Sequence, residues 1–185
     1  MGVNYIAACL SDVQIQVCKQ AGIPVMPKGA YAASLGEITQ GCVTDYSVHC
    51  FNSDALLTLA NLGVTRATLH PELNLAQIRD IKKPIETEII LYGKLPLMKL
   101  GVPLRNGALT DRKNTQFYMH GDTLYNTVPI FMADKMRDAE KAGITHGRLI
   151  FTDETEAQVR EVLHAYKRYK ALNIPFTRGK FYSRV

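Results

Sequence analysis

Short apolar runs alternate with stretches of helical periodicity along most of the chain, and the residues between them are those that start and stop helices. The run VNYIAAC leads to Ser11 with Gln14 three residues on, a capping-box spacing, and Gly22 closes the predicted helix before a second run, IPVMP. YSVHCF leads to Ser53 and a helix carrying Leu56, Leu59 and Ala60 that stops at Gly63. TRATLH leads to Asn74 and Gln77, with Ile78 and Ile81 at helical spacing, and TEIILYG is a strand ending at Gly93. VPIFMAD precedes a helix from about Asp134 to Gly143, and GRLIFT precedes a long helix from about Asp153 with Val159, Val162, Leu163 and Tyr166 inward. This rhythm predicts an α/β domain of about seven mostly parallel strands joined by right-handed crossovers. A closed eight-stranded barrel takes about 250 residues, and the 185 of this chain are too few for one.

Between Gly93 and Val128 the rhythm breaks. FYMHGDTLY alternates around Gly121 and Asp122 as a hairpin does, which predicts an inserted hairpin loop, and interruptions of this length in a short α/β domain usually carry function.

Composition narrows the class. With 46% apolar and 21% charged residues the chain can bury a core. No segment approaches the roughly 18 apolar residues of a membrane span, and the first residues lack a basic stretch before an apolar run, so no membrane partner and a cytoplasmic location are expected. Cys9, Cys18, Cys42 and Cys50 show no C-x-x-C spacing and are expected to be free thiols. The net charge of +5 allows an acidic partner such as RNA, but the basic residues are scattered. The closing FTRGKFYSRV interleaves Arg178, Lys180 and Arg184 with aromatic residues, a pattern that serves either base stacking or a tail pinned to the core.

Polar residues at predicted strand ends are the candidate site, because parallel α/β proteins place chemistry there. His70 and Glu72 flank Pro71, and a histidine with a carboxylate can act as base and orienter, so both are candidate catalytic residues; no third ligand accompanies them, and no metal is expected. Asn52 offers an amide at a strand end, where a turn would also favour it. Tyr92 ends a strand beside Gly93, whose missing side chain permits close approach of a ligand. Asp111 and Arg112 in the unusual loop form either a bracing salt bridge or a carboxylate or phosphate clamp. Asn52, Tyr92, Asp111 and Arg112 are the candidate substrate-binding residues. His49 within its run reads as a core or interface residue, and Asp134 and Asp153 read as helix caps. No G-x-S-x-G elbow, H-E-x-x-H pair or P-loop occurs.

DYSVHCFNSDALLTLANLGVTRATLHPELNLAQI, ETEIILYGKLPLM, LTDRKNTQFYM, LYNTVPIFMAD and FTRGKFYSRV resemble, in that order, the collagenase-like peptidase family U-thirty-two. The resemblance spans most of residues 20 to 185 and implies an α/β barrel of which only the later strands are present. It implies peptidase activity of unassigned catalytic type on a peptide substrate. Other members resemble hydroxylation proteins for RNA or quinone precursors with an iron-sulfur cluster on cysteines that follow the strand matching IILYG. This chain has Pro96 and Pro103 there and no cysteine after Cys50, so no cofactor is expected. The alternative is a non-catalytic binding module or subunit for RNA or a larger protein. An incomplete barrel leaves sheet edges and apolar faces that a homo-oligomer or larger partner subunit would cover.

Overall fold

A computed structural model describes residues 2–102, 107–112, 114 and 116–183. The backbone runs β1 (Asn4–Cys9), α1 (Asp12–Gln20), β2 (Tyr31–Ala32), β3 (Val43–Thr44), α2 (Ser53–Asn61), β4 (Arg66–Thr68), α3 (Leu75–Asp80) and β5 (Glu86–Gly93). It continues through β6 (Pro96–Lys99), β7 (Gly107–Thr110), β8 (Gln116–His120), β9 (Thr123–Asn126), β10 (Ile130–Phe131), α4 (Met136–Lys141), β11 (His146–Phe151) and α5 (Glu156–Arg168). Capping boxes start α1 at Ser11 and Gln14 and α3 at Asn74 and Gln77. A third starts α5 at Thr155 and Gln158, two residues beyond Asp153, whose carboxylate binds Lys94 instead. Asp134 likewise is no cap; it takes both guanidinium nitrogens of Arg178 at 2.6 and 2.9 Å. Asn52, and not Ser53, caps α2.

The main sheet is a curled half-barrel of parallel strands in the order β1-β11-β5-β4-β3-β2, with the two-residue β10 antiparallel on β5. IPVMP contributes only a bridge from Val25 to Ala7, because Pro24 and Pro27 bring no N–H to a ladder. YSVHCF is not a strand either. Tyr46–Val48 form a single 3-10 turn and His49 is left-handed at φ 58°, so only Cys50 rejoins the sheet, opposite Leu69. Gly93 and Gly147 admit close neighbours: a Cβ on Gly93 would lie 2.7 Å from the Ile150 backbone, and one on Gly147 2.0 Å from Leu91. The approach that Gly93 permits is thus by the next strand.

The ladders place Ala7, Ile89, Leu91, Leu149 and Phe151 toward the helices, where Val159, Val162, Leu163 and Tyr166 of α5 meet them. Tyr166 is fully buried; its hydroxyl donates to the Leu91 carbonyl at 2.6 Å and accepts from the Met132 N–H. The C-terminal segment is pinned to this core, with Phe181 buried, its carbonyl accepting from Leu75 N–H, and Arg178 lying 4.6 Å from the Phe176 ring. Arg184 lies outside the described residues.

The opposite, concave face carries charge. Arg148 on β11 donates to Glu88 on β5 at 2.6 Å, to Asp45 after β3 at 2.5 Å and to Thr68 on β4 at 2.5 Å. Its guanidinium carbon also lies 3.6 Å from the centre of the Tyr31 ring on β2, and the Tyr31 hydroxyl donates to Glu88 at 3.2 Å. Arg66 Nε stands 3.3 Å from Glu88 Oε2, without the alignment of a hydrogen bond. In a flat sheet four strand spacings would put β2 about 19 Å from β11. A ring from one touching a guanidinium from the other therefore measures the curl directly.

The interruption after β5 is larger than a hairpin: β6, β9, β8 and β7 form an antiparallel sheet in that order, with the predicted turn at Gly121 and Asp122 between β8 and β9. Among the described residues no helix is long and apolar enough to cross a membrane.

Glu88 is completely buried and Arg148 is 4% exposed, so each needs the other. Burial works against the Arg148 charge, but Glu88, Tyr31 and Asp45 outweigh it and raise its pKa above the ordinary value. Arg148→Met should lower unfolding free energy by about 3–5 kcal/mol, because it strands the Glu88 carboxylate in the interior. Adding Glu88→Leu to that variant should restore a large part of the loss in denaturant melts.

Candidate functional site

Parallel strands deliver their C-terminal ends to one edge of the sheet, and five loops gather there: Leu10 after β1, Asp45–His49 after β3, His70 after β4, Lys94 after β5 and Thr152–Glu154 after β11. The second sheet leaves β5 at this edge. Tyr118 and Tyr125 are opposite one another in the β8–β9 ladder and so share a face. With Leu10, Lys94, Thr152 and Asp153 they line a cavity of about 240 Å³.

Lys94 and Asp153 line this cavity and a second one as well. Lys94 Nζ lies 2.7 Å from both Asp153 oxygens. Burial pushes the Asp153 carboxyl up, but Lys94 more than offsets it and holds the group below its usual pKa. The second cavity, of about 320 Å³, is also lined by Tyr92, Glu154, Gln158, Glu161 and the apolar Val162, Leu172 and Ile174. Glu154 is fixed by the Tyr92 hydroxyl at 3.0 Å and the Thr152 N–H at 2.6 Å. Burial, and then the Glu154 charge, raise the Tyr92 pKa, so its hydroxyl stays a donor at neutral pH.

An aromatic shelf stands at the β3–β4 side of the same edge. The His70 ring is 4.2 Å from Phe51 and 5.3 Å from His49 between centroids, and Tyr46 meets His70 edge-on at 6.4 Å. His70 Nδ1 accepts from the Glu72 N–H at 3.4 Å, which leaves the proton of the neutral ring on Nε2. Burial lowers the His70 pKa; Glu72 opposes this and His49 adds to it. Burial, assisted by Asp45, pushes the Tyr46 hydroxyl up to about 12.

The six candidates from the sequence therefore occupy three places. His70 and Glu72 are together on the shelf, and Asn52 follows Phe51 there, its Oδ1 engaged as a helix cap by Ala55 N–H at 2.8 Å. Tyr92 lies on the convex side among Phe131 and Phe151, at the acid-rimmed cavity. Asp111 and Arg112 are exposed at the turn joining β7 to β8, in the second sheet. Sequence reasoning did not select Lys94, Tyr118, Tyr125 or Glu154, and read Asp153 only as a cap. The available signal was position: Lys94 and the Asp153–Glu154 pair directly follow predicted strands, and both tyrosines alternate in the predicted hairpin.

Among the described residues, no three His, Cys, Asp or Glu side chains are grouped to hold a metal ion, and the four cysteines do not make an iron-sulfur ligand set. No family model, curated protein or solved structure matches the chain.

His146, buried on the concave face, resembles His70 in its titration: burial and then Arg66 lower its pKa, against Glu86 and Glu88. Both folded values lie below the ordinary 6.5, so the unfolded chain takes up protons first as pH falls. The stability these rings contribute is present above about pH 6.5 and is lost as pH falls through their folded values. Thermal melts between pH 7.5 and 5 should show a falling Tm, and a His70→Gln, His146→Gln double variant should flatten that slope.

Proposed function

We propose that the protein binds an extended peptide across the C-terminal edge of its half-barrel, as a cytoplasmic binding module on an incomplete TIM-like barrel akin to the collagenase-like peptidases. One observation carries this reading: the two cavities share the Lys94–Asp153 pair in their linings and so adjoin at the ends of β5 and β11, where one extended chain could fill both. Tyr118, Tyr125 and Leu10 offer a surface for an apolar or aromatic side chain, and Glu154 and Glu161 with apolar walls suit the stem and charge of a lysine or arginine. Phosphates would meet Asp153, Glu154 and Glu161 against Lys94 alone, which disfavours RNA in this groove in spite of the net charge of +5.

A second reading, peptidase chemistry at His70 and Glu72, draws on the family resemblance and on the carboxylate's pull on the His70 charge. The Glu72 N–H on Nδ1 makes the outward nitrogen a donor, which suits holding a peptide carbonyl better than removing a proton. If that reading holds, Glu72→Gln should cut turnover of a selected peptide by about 10²-fold with an unchanged melt.

Peptides selected from a display library on the intact protein should pair an apolar or aromatic residue with a nearby basic one. Tyr125→Ala should weaken the best of them about tenfold or more, and Glu161→Lys should weaken those with a basic residue selectively. Equal enrichment on the Tyr125→Ala variant, or tighter binding of single-stranded RNA with a steep salt dependence, would overturn the proposal.

A further inference from the structure

Two of the four cysteines meet. Cys9 is the last residue of β1 and points to the helical side, where Cys18 projects from the last turns of α1; their sulfurs are 3.7 Å apart. Cys18 is completely buried, whereas Cys9 is only partly buried. A disulfide needs about 2.05 Å between sulfurs, so about 1.7 Å of approach, on the scale of a side-chain adjustment at two residues, separates the dithiol from the bond. We propose that Cys9 and Cys18 are a reversible oxidation site, in which a small hydroperoxide such as hydrogen peroxide converts the pair to an intramolecular disulfide.

The chemistry divides between the two sulfurs according to their surroundings. Either sulfur can donate in this contact; with Cys18 as donor to an ionised Cys9 it lowers the Cys9 pKa, against burial and the Glu154 charge, and together with burial it raises that of Cys18. Cys9 is then the attacking thiolate and Cys18 the resolving thiol. The Cys9 sulfur attacks one peroxide oxygen, the O–O bond breaks, and the departing hydroxide takes a proton to become water, leaving Cys9 as a sulfenic acid. Cys18 attacks the Cys9 sulfur, the S–O bond breaks, and the oxygen leaves with the Cys18 proton as a second water. Two thiols lose two electrons and two protons, and one peroxide becomes two waters.

The position ties this site to the edge of the sheet. Leu10, next to Cys9, lines the mouth cavity. Gln14, between the cysteines, accepts from the Leu10 and Ser11 N–H groups and donates to the Thr152 and Glu154 carbonyls. A Cys9–Cys18 bond would fasten the segment that carries Leu10 and leans on the Thr152–Glu154 loop.

Intact mass after about one equivalent of hydrogen peroxide should show a loss of about 2 Da, reversed by a dithiol reductant. Both cysteines lie before the first tryptic site at Lys19, so digestion must combine trypsin with a protease that cuts before Asp12; the linked peptides should be those ending at Ser11 and running from Asp12 to Lys19. In Cys18→Ala, or Cys18→Ser if the smaller residue unfolds the chain, Cys9 should stop at a sulfenic acid that a dimedone probe captures. Unoxidised wild type should also bind one phenylarsine oxide per chain, lost on oxidation. A bond mapping to Cys42 or Cys50, oxidation of Cys42 ahead of Cys9, or no loss of mass at about tenfold excess peroxide would overturn the proposal.

Discussion

The guanidinium of Arg148 is the point on which the concave face closes. It reaches Glu88 on the neighbouring strand, Thr68 one strand further, Asp45 beyond that and the ring of Tyr31 on the last strand. A buried ion pair seldom adds net stability, since desolvation consumes most of its attraction. What it does supply here is specificity of shape. A curled sheet too short to close leaves a concave surface, and apolar side chains there would be satisfied by many curvatures. A planar cation with a fixed fork of donors is satisfied by few. β2 and β3 are each only two residues long, and the Arg148 contacts to Tyr31 on β2 and to Asp45 directly after β3 add to their short ladders.

That curvature sets the edge where the proposed groove lies. Because β5 and β11 run side by side and end together, Lys94 and Asp153 can pair across them, and the pair divides the groove into an aromatic half and an acidic half. The antiparallel sheet supplies the aromatic half from outside the half-barrel, through Tyr118 and Tyr125. Its insertion immediately after β5 puts it over the mouth without a long connection.

What was legible in the sequence was local. The capping boxes at Ser11 and Asn74, the stops at Gly22, Gly63 and Gly143 and the turn at Gly121 are decided within a few residues, and the structure has each of them. YSVHCF failed because a left-handed His49 is a backbone choice that its neighbours do not announce. Asp134 and Asp153 looked like caps because their partners, Arg178 and Lys94, lie 44 and 59 positions away. Glu88 and Arg148 are 60 positions apart, and a lone charge in an apolar strand does not name its counterion. For the site, position at a strand end brought His70, Glu72 and Tyr92 into view, while the pairing that joins the two cavities is a property of strand order, which places β11 between β1 and β5.

The most direct test of this account is the contact between the two ends of the curl. In a protein with labelled arginine side chains, the Arg148 Nε–H should appear as a resolved, slowly exchanging resonance at neutral pH, displaced by the Tyr31 ring current and showing nuclear Overhauser contacts to that ring. Tyr31→Leu should remove the displacement and leave the Glu88 hydrogen bond. An Arg148 signal that exchanges as fast as those of surface arginines, with no contact to Tyr31, would mean that the sheet is open and that the concave charge cluster does not shape it.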